Sequence, residues 1–184
     1  MSMSKKTKSN TPWRNRWFLG LGITLGIGLV TAPAYATPWR IYHNARFGTV
    51  ADVPAHGFSP EPASQNGDGQ TWVSDDGRGQ ILVFGDLIVT ADTVSAYRRE
   101  TLGYARDDGL DIVYSAAKKN WFAYSGFLGG DIIYEKVVVM TGCNPMIGNH
   151  VYFRYPASQK RAYDAIVRHM AATLEGDRNA VMCN

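Results

Sequence analysis

The stretch that decides the fold is Asn120-Trp-Phe-Ala-Tyr-Ser-Gly-Phe-Leu-Gly-Gly-Asp-Ile-Ile-Tyr-Glu-Lys-Val-Val-Val-Met140. Two runs rich in aromatic and β-branched residues flank Gly129-Gly130, a pair whose missing side chains permit a two-residue hairpin turn. The spacing predicts antiparallel strands over 120–128 and 131–140. Val137 to Met140 cannot all face one side of a pleated sheet, so the second strand is expected to be central and covered on both faces.

Working outward, Leu110 to Ser115 reads as a strand before this hairpin and His150 to Tyr155 as one after it, stopped by Pro156, which lacks a ladder donor. A helix is expected from Ser158 as cap through Tyr163, Ile166, Val167, Met170 and Leu174, spaced by threes and fours, with Gly176 just beyond. Its other face carries Lys160, Arg161, Asp164 and Arg168 and reads as solvated. Upstream, Asp92 is expected to cap a helix over Thr93 to Arg106, with Val94, Tyr97, Thr101, Tyr104 and Ala105 on one side. Thr71 to Ser74 and Gln80 to Val89 form a hairpin around Asp75-Asp76-Gly77-Arg78-Gly79. Ile81-Leu82-Val83-Phe84 lacks alternation, so both of its faces should be covered. Short strands at Trp39–His43 and Phe47–Val53 flank an Asn44-Ala45 turn. A Pro-, Ser- and Gly-rich loop over Pro54 to Gly69 follows, either functional or an exposed insertion. The expected class is α+β, a mainly antiparallel sheet covered by two helices.

The chain has 184 residues, 19 Lys+Arg and 16 Asp+Glu, but the basic excess is local. Residues 1 to 36 hold Lys5, Lys6, Lys8, Arg14 and Arg16 and no acidic residue, which leaves 14 basic and 16 acidic side chains in residues 37 to 184, a formal charge of −2. Nucleic-acid binding therefore has little electrostatic drive. The same 36 residues run from a cationic stretch through an apolar segment, Trp17 to Val30, to the small-residue end Thr31-Ala-Pro-Ala-Tyr-Ala36. This is the order of a secretory signal peptide, with cleavage expected between Ala36 and Thr37. The apolar run would span about 21 Å as a helix, short of the roughly 30 Å hydrocarbon core, so no stable transmembrane span is expected after cleavage. Residues 37–184 then form a single periplasmic or secreted domain. In such a compartment Cys143 and Cys183, the two cysteines of the chain, are expected to form a disulfide that tethers the C-terminal tail.

Three short segments carry a resemblance: Tyr42-His-Asn-Ala-Arg-Phe-Gly48, Asn66-Gly-Asp-Gly-Gln70 and Gly129-Gly-Asp131. They resemble small exported proteobacterial proteins of uncharacterised function, which look like members of the broader PsbP-like α/β/α sandwich class. The resemblance implies that sandwich fold and export, and lends no catalytic residue.

Candidate chemistry is sparse. Asn66, Asp68 and Asp76 lie in turns rich in carboxylates, but Gly77 and Thr71 stand where a calcium loop needs its bidentate Glu and its Gly, so no metal is expected. His43, His56, His150 and His169 show no zinc-hydrolase spacing and read as surface or loop side chains. No nucleophile elbow and no nucleotide-binding loop is present, so neither catalytic residues nor a cofactor are assigned. Arg46 presents a planar fork at the start of a strand, for an internal partner such as Asp68 or Asp52 or for an incoming carboxylate or phosphate. Trp39, Trp72, Trp121, Tyr124, Tyr134 and Tyr152 fall on strands, where packing explains them unless a subset is exposed. The leading expectation is a non-enzymatic protein-binding or assembly module of the cell envelope, with Arg46, Asn66, Asp68 and Asp76 as candidate ligand or partner contacts. The alternatives are an accessory subunit of a larger periplasmic or membrane-bound enzyme and, third, a small-molecule binder or enzyme using the Pro54–Gly69 loop as a lid.

Overall fold

The structure, a computed structural model, describes residues 38–183. The proposed signal peptide and its Ala36/Thr37 cleavage point lie outside the described residues. Ten strands and two α-helices follow in order: β1 (Trp39–Asn44), β2 (Thr49–Pro54), β3 (Phe58–Pro60), β4 (Gly69–Ser74), β5 (Gln80–Ile88), α1 (Val94–Asp107), β6 (Asp111–Ala117), β7 (Trp121–Leu128), β8 (Asp131–Met140), β9 (Met146–Pro156), α2 (Lys160–Thr173) and β10 (Glu175–Gly176).

Strands β3 to β9 make one antiparallel sheet in the order β3-β4-β5-β9-β8-β7-β6, and β1, β2 and β10 make a second, three-stranded one. The Gly129-Gly130 hairpin forms as its sequence demands, pairing Leu128 with Asp131 and Trp121 with Val138. Strand period two then assigns side chains to faces. Ile81, Val83, Ile132, Val151, Phe153 and Tyr155 point to one side, against Tyr163, Met170 and Leu174 at the C-terminal helix and Ala51 and Val53 of the small sheet. Phe122, Tyr124, Ile133, Val137 and Val139 point to the other, against Tyr97 and Leu102 of α1. The result is a layered α+β sandwich with α2 and the small sheet on one face and α1 on the other. Fully buried Thr49 donates to Asn149 at 2.7 Å and so joins the two sheets by a polar contact.

The C-terminal segment closes the assembly. Cys143 and Cys183 form a disulfide across 40 residues. The amides of Val181 and Met182 bond the carbonyls of Ala45 and Arg46. Phe47, Met140, Ile147 and Ala180 pack around the cystine.

Several local expectations are corrected. Thr93, not Asp92, caps α1, because its hydroxyl is the one that accepts from the Ala96 amide at 3.1 Å. Ser158 lies inside a 3₁₀ turn, Ala157–Gln159, and caps nothing. Gly176 is not a helix terminator: α2 ends at Thr173, Leu174 is already extended, and Gly176 pairs with Thr49 as a strand. The Pro54–Gly69 segment is not all loop, since Phe58–Pro60 pairs with Trp72–Ser74. Tyr104 is 62% exposed and does not belong to the packed side of its helix, where Leu102 takes that place. Ile81 and Val83 are fully buried, yet Leu82 and Phe84 are only half-buried. The non-alternating run is therefore covered on one face and open on the other.

Candidate functional site

The open face follows from where α1 sits. Its buried residues Tyr97 and Leu102 pack with residues of β7 and β8 and reach β5 only at Asp86 and Ile88, so Leu82 and Phe84 are left half-open on that face. Between α1 and β5 lies a cleft of about 460 Å³, walled in part by Phe84, Ile88, Val89, Tyr104 and Ala105. It meets at Phe84 a second groove of about 370 Å³ lined by Asp68, Thr71 and Leu82 among others. Val89 and Tyr104 on the rim are 72% and 62% exposed.

The floor of the cleft is a charge network. His150 on β9 is 2% exposed and is held at both ring nitrogens. Nδ1 bonds Glu135 Oε1 at 2.7 Å, and Nε2 faces Asp86 Oδ1 and the Tyr97 hydroxyl, each at 3.2 Å. Tyr97 donates to Asp86 Oδ2 at 2.8 Å, and Tyr124 donates to Glu135 Oε2. Phe84 stacks on the imidazole with centroids 4.4 Å apart. The strands make this geometry: Asp86, Glu135 and His150 all fall on the α1 side of three adjacent strands. Gly148, opposite Asp86 in the register, leaves the space, because a Cβ there would stand 2.4 Å from Asp86 Oδ1.

Burial by itself would depress the His150 pKa. The hydrogen bonds and charges of Asp86 and Glu135 outweigh it and hold the imidazolium up to about 9. Burial opposes ionisation of Asp86 too, and its bonds to His150 and Tyr97 more than offset this, so its carboxyl stays below the ordinary value. Burial first, and then the neighbouring carboxylates, push the phenols of Tyr97 and Tyr124 well above theirs. At neutral pH the floor is an imidazolium between two carboxylates, with both phenol protons retained. Each of its polar groups faces another, which makes it a fixed platform.

The residues singled out in the sequence lie elsewhere, with one exception. Arg46 bonds the backbone carbonyl of Asn66, so it does tie a strand start to the long loop, but through neither Asp68 nor Asp52. Asp52 pairs with His169 at 2.7 Å instead. Asn66 donates to Asp68 at 2.7 Å, and Asp68 lines the second groove. Asp76 is beyond the opposite end of β4 from these three. It accepts from Ser74, Arg78 and Gln159, contacts that hold its carboxyl far below the usual range and tie the β4–β5 turn to the start of α2. His150, expected at the surface or in a loop, is the reverse, the centre of the buried network. Its signal is parity: Asp86, Glu135 and His150 each occupy an inward position of an otherwise apolar strand, where a charge must find partners.

No protein-family model and no curated protein sequence matches the chain. Its fold does have solved counterparts. The cyanobacterial PsbP (CyanoP) of Synechocystis sp. PCC 6803 superposes with a TM-score of 0.57 at 9% identity, covering 79% of this chain and 96% of that one. The Saccharomyces cerevisiae Ran-binding protein Mog1p superposes at 0.51 with 8% identity, covering 77% and 96%. A point mutant of Mog1 does so at 0.51 with 10% identity, covering 76% and 96%. The chain therefore has a PsbP-like α+β sandwich fold.

Proposed function

We propose that this chain is an exported, non-enzymatic module that docks a protein partner in the α1 groove and serves an assembly, or an enzyme complex as accessory subunit, in the cell envelope. The observation that carries this reading is the contrast between floor and rim. The floor offers no free base or nucleophile, because both nitrogens of His150 and both phenols are engaged. The rim offers what a partner would cover, the exposed side chains of Val89 and Tyr104 and the half-buried Leu82 and Phe84. That a protein of the same fold is a Ran-binding protein agrees with a docking role. The leader composition and the Cys143–Cys183 disulfide agree with export. Asp68 belongs to the contact surface, while Arg46 and Asn66 hold its loop in place.

A photo-crosslinking residue placed at Tyr104 tests the reading in intact cells. The same residue at Lys160, on the solvated face of α2, is the control. A discrete adduct from Tyr104 and none from Lys160 is expected; equal or absent labelling at both positions defeats it.

A further inference from the structure

The groove is apolar along its middle and carries one sign of charge along its sides. Its two parts meet at Phe84 and run beside β5 from Leu82 to Ile88. That is roughly 20 Å at about 3.4 Å per strand residue, the length of a six-residue extended peptide. The lining includes Asp68 at one end and Asp86, Glu100 and Asp108 at the other, and no Lys or Arg. Its one cation, His150, is already matched by two carboxylates below the surface. Asp86 keeps 41% of its side chain exposed toward the cleft. Glu100 is held by neutral donors, the Thr90 hydroxyl at 2.8 Å and the Tyr104 hydroxyl at 3.0 Å, which fix its position and leave its charge unpaired. Among the described residues neither Glu100 nor Asp108 makes a salt bridge. Phe84 and Tyr104 supply ring faces of the kind that accept a cation.

Resting on the docking function proposed above, we infer that the groove takes an extended segment of a partner protein in which Arg or Lys alternates with apolar side chains. The apolar residues lie on Leu82, Phe84 and Val89. The cationic ones reach Glu100, Asp108 and Asp86. A neutral or acidic segment would leave Asp68, Glu100 and Asp108 facing it without a cationic partner, a cost that steers and selects a basic one.

The test uses the purified protein and three synthetic peptides, acetyl-Ser-Leu-Arg-Leu-Arg-Ser-amide and its counterparts with Glu or Gln in place of Arg, followed by amide chemical shifts. The Arg peptide is expected to bind at least about tenfold more tightly than the other two, to move the signals of Phe84, Val89 and Tyr104, and to weaken about fivefold in Glu100→Gln. In that variant the amide oxygen still accepts from one of the Thr90 and Tyr104 hydroxyls and the amide nitrogen donates to the other, and an unchanged Tm shows that it folds. Equal binding of all three peptides in the groove overturns the cationic inference and leaves the docking function standing. Saturation by acetyl-arginine amide at the same concentration as the Arg peptide overturns it in favour of a small organic cation. Self-association lost in Glu100→Gln overturns it in favour of a second copy of the chain. If no peptide moves groove signals and the Tyr104 crosslink is also absent, both proposals fall.

Discussion

His150 and Glu135 stand diagonally on neighbouring strands: the register pairs His150 with Val137 and Glu135 with Tyr152, and the 2.7 Å contact joins the two side chains across that diagonal. Both residues are almost fully buried. Sheet geometry rather than sequence proximity thus brings an acid and a base together in the interior, and the pH response and stability of the fold depend on it.

The stability of the fold is expected to fall in mild alkali. Histidine titrates near 6.5 in an unfolded chain and His150 near 9 in the fold, so the folded state binds this proton more tightly. The resulting stabilisation is complete below about pH 6.5 and is lost as pH rises through about 9. The shift corresponds to roughly 3 kcal/mol. Denaturant melts at about pH 6 and about pH 9.5, on either side of that window, measure it, and a His150→Gln variant should flatten the difference.

Glu135→Leu should destabilise by roughly 3–5 kcal/mol, because it leaves the imidazolium without its inner partner in a dry site. The double variant Glu135→Leu with His150→Leu should recover at least about 1 kcal/mol of that loss, since it also removes the buried imidazolium, and half-exposed Asp86 keeps its bond from Tyr97. Equal stability of the single and double variants would show that the contact carries no charge.

How much of this is legible in the sequence depends on whether the information is local. The Gly129-Gly130 hairpin and the packed face of α2 are readable because turn chemistry and periodicity act within a few residues. The groove is not readable. The Ile81–Phe84 run looks covered on both faces, and only the placement of α1 over β7 and β8 uncovers Leu82 and Phe84. The network is hidden for a related reason: Asp86 and His150 stand 64 residues apart, and no short motif marks a triangle closed with Glu135 by strand order β5-β9-β8. Arg46 is legible as a bridge between strand and loop, but its acceptor is a main-chain carbonyl, which no side-chain pattern can announce.

Gly148→Ala should disturb the network from beneath. Its methyl group would meet Asp86 Oδ1 at 2.4 Å and His150 Nε2 at 2.6 Å. The expected cost is about 2 kcal/mol, with a downward move of the His150 pKa. Denaturant melts report the first and nitrogen chemical shifts of the imidazole over a pH series the second, and an unmoved titration would mean that the ring does not depend on that space.

Replacing both cysteines by serine should cost about 4 kcal/mol on the chain-entropy account of a loop this long. The loss should appear first as faster hydrogen exchange at Val181 and Met182, whose amides lie beside the cystine. Exchange that accelerates evenly across the domain would show that the tail is not a separate unit.

Export is checked by intact mass. Protein recovered from the envelope should weigh as residues 37–184 less two hydrogens. A full-length or free-thiol mass would reject cleavage or pairing respectively.

The small sheet places one further demand on biosynthesis. Its outer partner for β2 is β10, which follows every other strand among the described residues. A polypeptide emerging amino-end first, from a ribosome or through a translocation pore, can therefore assemble the meander early but must hold Thr49 and Val50 unpaired on that side until Glu175 and Gly176 arrive. The small sheet is therefore completed only after residues 175 and 176 have emerged, well behind the strands they join.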